Sequence, residues 1–226
     1  MWRRREIVLS VACLVVGSVG QLAQFLVTPV DSAGTVAENA AAAVAAPGRM
    51  AAGAWLDLTI LLFVPALVVV GHFAAARTTR LGWVATLIAV ATTLPGVAYL
   101  LATDVMYVTV ARGKVPASAV QAYLDNSVVG VSIGIFLIGH VLGLLLLGIA
   151  LWRAGRVPRW AGACLALYPF AEFGGTAAGV TAVVVVGYLF LIAAFGACAA
   201  ALLREAEIRT AQVETPDAAA VAPSSY

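Results

Sequence analysis

The chain has 226 residues, of which 63% are hydrophobic and 11% charged, with a formal net charge of +2. A soluble domain carries roughly twice that charged fraction. A mean hydropathy of +1.02 implies more apolar surface than a globule of this size can hide. A soluble enzyme, a DNA-binding domain and a disordered chain are thereby excluded. A polytopic membrane protein remains, an all-α integral bundle whose first partner is the lipid bilayer and which carries no nucleic-acid footprint.

A spanning helix needs about 20 apolar residues, and six stretches qualify in chain order: residues 7–28, 51–76, 81–102, 128–152, 160–173 and 177–203. The second contains Pro65, expected to bend it. The fifth and sixth are divided by Pro169 and by Phe173-Gly-Gly-Thr176, which reads as a tight turn. The basic start Arg3-Arg-Arg5 before an apolar run resembles a signal peptide. The run is long and lacks a clear cleavage site, so it reads as a retained first span. With an even number of spans and a cytoplasmic N-terminus, ten Arg fall inside, against Arg49, Arg112 and Lys114 outside. Both termini are therefore expected to be cytoplasmic. The first outer loop holds an alanine-rich stretch from Thr35 to Ala46, then Pro47-Gly48, expected as a short surface helix and its stop. A second short helix is expected over 116–124. Residues 205–226 lose the hydrophobic run and read as a cytoplasmic tail, disordered beyond about Thr210. No internal repeat supports a transporter of inverted halves.

Two stretches are distinctive: Phe25-Leu-Val-Thr-Pro-Val-Asp31 through Asn39 with Ala54-Trp-Leu-Asp-Leu58, and the run from Gly139-His140 through Leu151-Trp-Arg-Ala-Gly-Arg-Val-Pro-Arg-Trp-Ala-Gly162. They resemble a family of bacterial membrane proteins known as domain of unknown function 4386. There a His-containing span ends in an aromatic-Arg-x-Gly-x-x-Pro-Arg-x-x-Gly turn before the next span. The resemblance implies the multi-span fold in a bacterial inner membrane and implies no activity, cofactor or catalytic residue.

Polar residues inside apolar runs are the functional candidates, because an ionisable group at bilayer depth is costly and turns to the bundle interior. Ser10, Gly17, Gln21, Gln24 and Thr28 recur at spacings of 7, 4, 3 and 4, one stripe of the first span. Asp57 lies near the outer end of the second. Thr92, Gly96, Tyr99 and Thr103 form a stripe of the third. Tyr168 and Glu172 are four apart on the fifth. These groups share the outer half of the membrane. With His140, near the middle of the fourth span, they define a candidate outward-facing cavity for a small or lipidic ligand: Gln21, Gln24, Asp57, Thr92, Tyr99, His140, Tyr168 and Glu172. The competing reading is that amides, hydroxyls and rings simply pack helices together.

His72 and His140 on separate spans invite a bis-histidine haem, but their depths differ by roughly 12 Å at helical rise, so no cofactor is expected. Cys13, Cys164 and Cys198 lie apart within apolar runs and carry no metal-site spacing. A non-enzymatic membrane protein that binds a ligand or a protein partner is therefore expected. One alternative is a lipid- or isoprenoid-directed enzyme with Asp57 or Glu172 as acid. Another is a proton-coupled transporter, disfavoured because Ser10, Thr86 and His72 are the only polar groups in the inner halves. Gly130/Gly134 and Gly139/Gly143 form two GxxxG patterns, expected to serve packing within the chain; the oligomeric state is left open.

Overall fold

The computed structural model describes residues 3–31 and 33–214, with side chains to residue 208. Among these the structure is helical throughout: α1 (Arg4–Val27), α2 (Val36–Ala45), α3 (Pro47–Asp57), a 3₁₀ stretch (Leu58–Leu62), α4 (Phe63–Ala75), α5 (Thr79–Ala111), α6 (Ala117–Leu124), α7 (Ser127–Ala154), α8 (Arg159–Ala177) and α9 (Thr181–Glu214). Five segments are long and apolar enough to cross a bilayer: Arg4–Val27, Pro47–Ala75, Thr79–Ala111, Ser127–Ala154 and Thr181–Ile208. That is the make-up of a multi-pass membrane protein.

Two cores hold it. The large one runs the length of the bundle and includes Leu14, Phe63, Leu67, Leu144, Leu151, Leu165, Leu191 and Phe195. A small one, Ala40, Ala43, Met50, Tyr107, Val110 and Val120, joins α2 and α6 to the ends of α3 and α5. The short helices thus cap one end of the bundle. The opposite end carries Arg3, Arg4, Arg5, Arg77, Arg80, Arg153 and Arg156.

Bare backbone sets how closely the helices approach. A Cβ on Gly143 would lie 2.7 Å from the Ala89 backbone, and the side chain of Thr92 fills the space beside Gly139. This GxxxG pair is spent on α5 packing against α7. Gly130 and Gly134 meet nothing within 4 Å. The turn from Trp152 to Gly162 has a physical account. Gly155 ends α7 at φ +63, in the left-handed region that favours glycine. Pro158 N-caps α8. A Cβ on Gly162 would lie 2.6 Å from Gly148 O and Trp152 N.

Several boundaries differ from the sequence expectation. The second span breaks at Leu58–Leu62 rather than at Pro65, because Pro65 falls in the first turn of α4, where its missing N–H costs little. α2 ends at Ala45 before Pro47, as expected, but Pro47 also begins a second helix, α3, at its first position. α5 continues nine residues past the expected end at Ala102, with Asp104 and Tyr107 buried on one face of the extension, and the loop to α6 begins only at Arg112. Phe173-Gly-Gly-Thr176 is helical; the turn comes at Gly179, φ +65. Pro169 sits inside α8, as helices packed among others in a bundle tolerate. α9 does not end at residue 204. It continues to Glu214 through a stretch rich in Ala, Glu and Arg, all strong helix formers. The rest of the expected disordered tail, 215–226, lies outside the described residues.

Loop order at the capped end comes from side chains. The Asn39 amide donates to Asp31 O at 2.8 Å, and Asp31 N–H donates to Asn39 Oδ1 at 2.7 Å. Thr35 and Glu38 form a capping box at the start of α2: Glu38 N–H donates to Thr35 Oγ1 at 3.3 Å, and Thr35 N–H donates to Glu38 Oε2 at 2.8 Å. These Thr35 hydrogen bonds, backbone first, hold the Glu38 carboxyl below its ordinary 4.5.

The glycine contacts and the capping box can each be tested. Gly143→Leu lowers stability by about 1–3 kcal/mol through overpacking, whereas Gly130→Ala stays within about 1 kcal/mol of the parent; thermal unfolding in detergent compares them. Because the folded Glu38 pKa is depressed, its contribution to α2 is full above the unfolded value and is lost as pH falls through the lower folded value. Protection factors of amides 36–45, with the intrinsic pH dependence of exchange divided out, should hold down to about pH 4.5 and fall below it, and Thr35→Ala should remove that pH step.

Candidate polar cluster at the capped end

The site begins on α1. Its polar stripe turns inward: Ser10 and Gln21 are buried, and Gln24 and Thr28 half-buried. Gly17 and Gly20 on the same side admit the 3₁₀ stretch, where Leu62 packs on Gly17 and Thr59 occupies the space beside Gly20. Thr59 Oγ1 donates to Leu56 O at 2.7 Å, a carbonyl at the end of α3. Gln21 Nε2 donates to Asp57 Oδ1 at 3.4 Å and to Thr59 Oγ1 at 3.3 Å. The helix break thus delivers a carboxylate and a hydroxyl to one amide. Asp57 is only 3% exposed, and its Oδ2 has no hydrogen-bond partner.

A second carboxylate joins from α5. Asp104 is 8% exposed, lies beside Gln24 and within electrostatic reach of Asp57, and also leaves Oδ2 unpartnered. The third comes from α8. Tyr188 Oη donates to Glu172 Oε1 at 3.1 Å, Tyr168 flanks the same carboxylate, and Glu172 Oε2 is shielded without a partner. Tyr188 is itself within electrostatic reach of Asp57.

A row of rings ties these groups across four helices. Phe25 lies 5.5 Å from Tyr188, Tyr188 5.9 Å from Tyr168, and Tyr168 5.9 Å from His140. His140 is boxed by Phe136 at 5.0 Å and Phe173 at 5.8 Å. It is 4% exposed, and neither ring nitrogen has a partner.

Six of the eight sequence candidates therefore lie in one connected neighbourhood: Gln21, Gln24, Asp57, His140, Tyr168 and Glu172. The other two stand apart in role. Thr92 donates its hydroxyl to Ile88 O at 2.8 Å and packs on Gly139, which is helix packing. Tyr99 is half-buried and lies with Tyr107 and Tyr123 towards the cap. Sequence reading missed Asp104, Tyr188 and Thr59. Asp104 directly follows the Thr103 that ended a recognised stripe, and only the expectation of a loop there concealed it. Among the described residues no three His, Cys, Asp or Glu side chains are grouped to hold a metal ion. His72 is exposed towards the basic end, on α4, and does not join His140.

The neighbourhood holds donors in Gln21, Gln24, Thr59, Tyr168 and Tyr188, yet one oxygen on each of three carboxylates is left unpaired. Three carboxylates contribute oxygens that receive nothing, and an unpaired buried acceptor costs about 1–3 kcal/mol, more when charged. A proton, a water or a ligand bearing N–H or O–H groups is the complement it lacks. The chain matches no family model, no curated protein and no solved structure.

Removing the one amide that serves both Asp57 and Thr59 tests the pairing. Gln21→Leu should destabilise by about 1–3 kcal/mol, because it strands a buried carboxylate. Gln21→Leu with Asp57→Leu should recover most of that loss, since replacing both partners is nearly neutral. Thermal unfolding of the three proteins decides it, and equal losses in the single and double variants would disprove the pairing.

Proposed function

We propose that the protein is a six-span bacterial inner-membrane protein with both termini in the cytoplasm. In this reading it is a non-enzymatic binding protein, whose cluster beneath the outward-facing cap takes a small ligand rich in hydrogen-bond donors. α8 supports the sixth span. Its 19 residues amount to about 28 Å at helical rise, close to a hydrocarbon core of about 30 Å. It also follows α7 from the Gly148–Gly162 contact to the Phe136–Phe173 contact. The arginine-rich end supports the orientation. Exposed Trp83, Trp152 and Trp160 stand near that end as an interfacial belt would. The turn from Trp152 to Gly162 supports membership of the domain of unknown function 4386 family.

The observation that carries the binding reading is the set of unpartnered oxygens on Asp57, Asp104 and Glu172, supplied by three helices to one end of the bundle. Helix packing alone would be served by satisfied amides and hydroxyls; stranded carboxylates oppose it. A proton path through the whole bundle gains less support, since Ser10 and Thr86, in the other half, are buried against their neighbours and Thr86 is satisfied by Gly82 O at 2.7 Å.

Two measurements test this. In cells expressing a variant without native cysteines, single cysteines at Ser118 and Ala178 should react with an impermeant maleimide from outside, and one at Arg156 only after permeabilisation. Reaction at residue 156 from outside would refute the orientation, and failure at residue 178 would refute the sixth span. Butylamine or butanol should raise the unfolding temperature of the protein in nanodiscs by several degrees. Glu172→Gln should reduce that rise; no rise with either probe would refute binding at the cluster.

A further inference from the structure

A groove of about 320 Å³ runs along the outside of the bundle between α3 and α5, at the lower end of the size range of small-molecule sites. Ala54, Trp55 and Leu58 line one side; Leu101, Val105 and Val108 line the other. Trp55 is 75% exposed, and Leu58 and Val105 are exposed beside it, so this wall turns away from the protein interior. Asp104 also lines the groove, almost wholly buried, with its Oδ2 unpartnered. Gln24 stands beside it from α1, which joins the groove to the polar cluster.

We infer that this groove is a bilayer-facing site for an amphiphile, whose hydroxyl or ammonium end donates to Asp104 and whose long apolar body lies along Ala54, Trp55 and Val105. The inference rests on the reading of the chain as membrane-embedded and of the cluster as a binding site, and it names the ligand class. The chemistry is selective. A plain acyl chain would cover Asp104 and leave its carboxylate without a donor, at the cost of an unpaired buried polar group. An anionic end would be repelled at Asp104 and drawn instead to Arg112 at the rim. A donor in the groove satisfies the carboxylate once a small side-chain rotation turns the buried Oδ2 towards it. Depth adds a second constraint. Asp104 lies 24 residues past Arg80 of the basic end, about 36 Å at helical rise, which sets it at the outer edge of a hydrocarbon core of about 30 Å, where an amphiphile's polar end sits. A water-soluble metabolite gains little from apolar walls there, whereas a molecule anchored in the bilayer reaches them sideways.

The test uses the full chain in nanodiscs with three photoreactive diazirine probes of equal length: a long-chain alcohol, a long-chain primary amine and a long-chain methyl ester, which has no donor. Labelled peptides are located by mass spectrometry. Labelling of residues 51–58 and 101–112 by the alcohol or the amine should exceed that by the ester about tenfold, the scale of one hydrogen bond to a charged group. Asp104→Leu should erase the excess, and Asp104→Asn should keep it for the alcohol and lose it for the amine. Ala54→Phe fills the groove without touching the carboxylate. It should also erase the excess, and it decides the question if Asp104→Leu does not fold. Equal labelling by the ester, or an excess that survives Ala54→Phe, overturns the inference. If butylamine or butanol still stabilises the protein through Glu172 in that case, the cluster reading stands and the groove alone is refuted. If neither short nor long donors act, both fall. Absence of ester labelling at Leu9 and Leu87, on other exposed faces, would refute the membrane-embedded reading itself.

Discussion

A polar group without a partner is expensive in an apolar surrounding, and that cost organises the capped half of this protein. Gln21 of α1, Asp57 of α3, Asp104 of α5, Glu172 of α8 and Tyr188 of α9 belong to helices that are otherwise apolar. None of these side chains can face hydrocarbon cheaply. Turning each inward brings five helices to a common neighbourhood. The large apolar core lends the bundle cohesion along its length, but apolar packing is not directional. The hydrogen bonds from Gln21 and Tyr188 make one rotational setting of α1 and α9 better than its alternatives.

Close approach is the other half of that arrangement. Small residues stand where two helices touch: Gly20 under Thr59, Gly139 under Thr92, Gly143 against Ala89, Gly162 against Gly148. In a bilayer, where apolar side chains gain little by leaving lipid, such backbone proximity supplies much of the association energy. It also fixes axial register. Gly20 sets the height of the 3₁₀ stretch on α1, and so sets the height at which Asp57 meets Gln21. Satisfied polar pairing and glycine contacts are consistent with each other at this point in the chain, as expected of a sequence that specifies one structure.

Much of this was legible in the residues alone. Composition exposed the membrane class, and the spacing of Gln21 and Gln24, and of Tyr168 and Glu172, showed which faces turn inward. What failed was local punctuation. Pro65, Phe173-Gly-Gly-Thr176 and Thr103-Asp104 all read as interruptions, and all three lie within helix. Water is not available to a helix backbone in an apolar medium, so intrahelical hydrogen bonds are kept and the helical state survives residues that would end it in water. The true interruption, Leu58–Leu62, is uniformly apolar apart from Thr59 and carries no breaker. It becomes intelligible only once α1 is placed beside it. Asp104 was lost for the same reason: a polar residue was taken as the start of a loop, and the helix went on.

The division into two cores separates two stabilities. The bundle rests on a long, densely packed interior, whereas α2 and α6 are held by Ala40, Ala43, Met50, Tyr107, Val110 and Val120. So small a nucleus detaches at far lower free energy than the bundle unfolds. The cap is thus expected to open locally before the bundle unfolds. Half of that nucleus, Met50, Tyr107 and Val110, belongs to α3 and α5, so the firmness of the cap and the setting of the long helices beneath it change together.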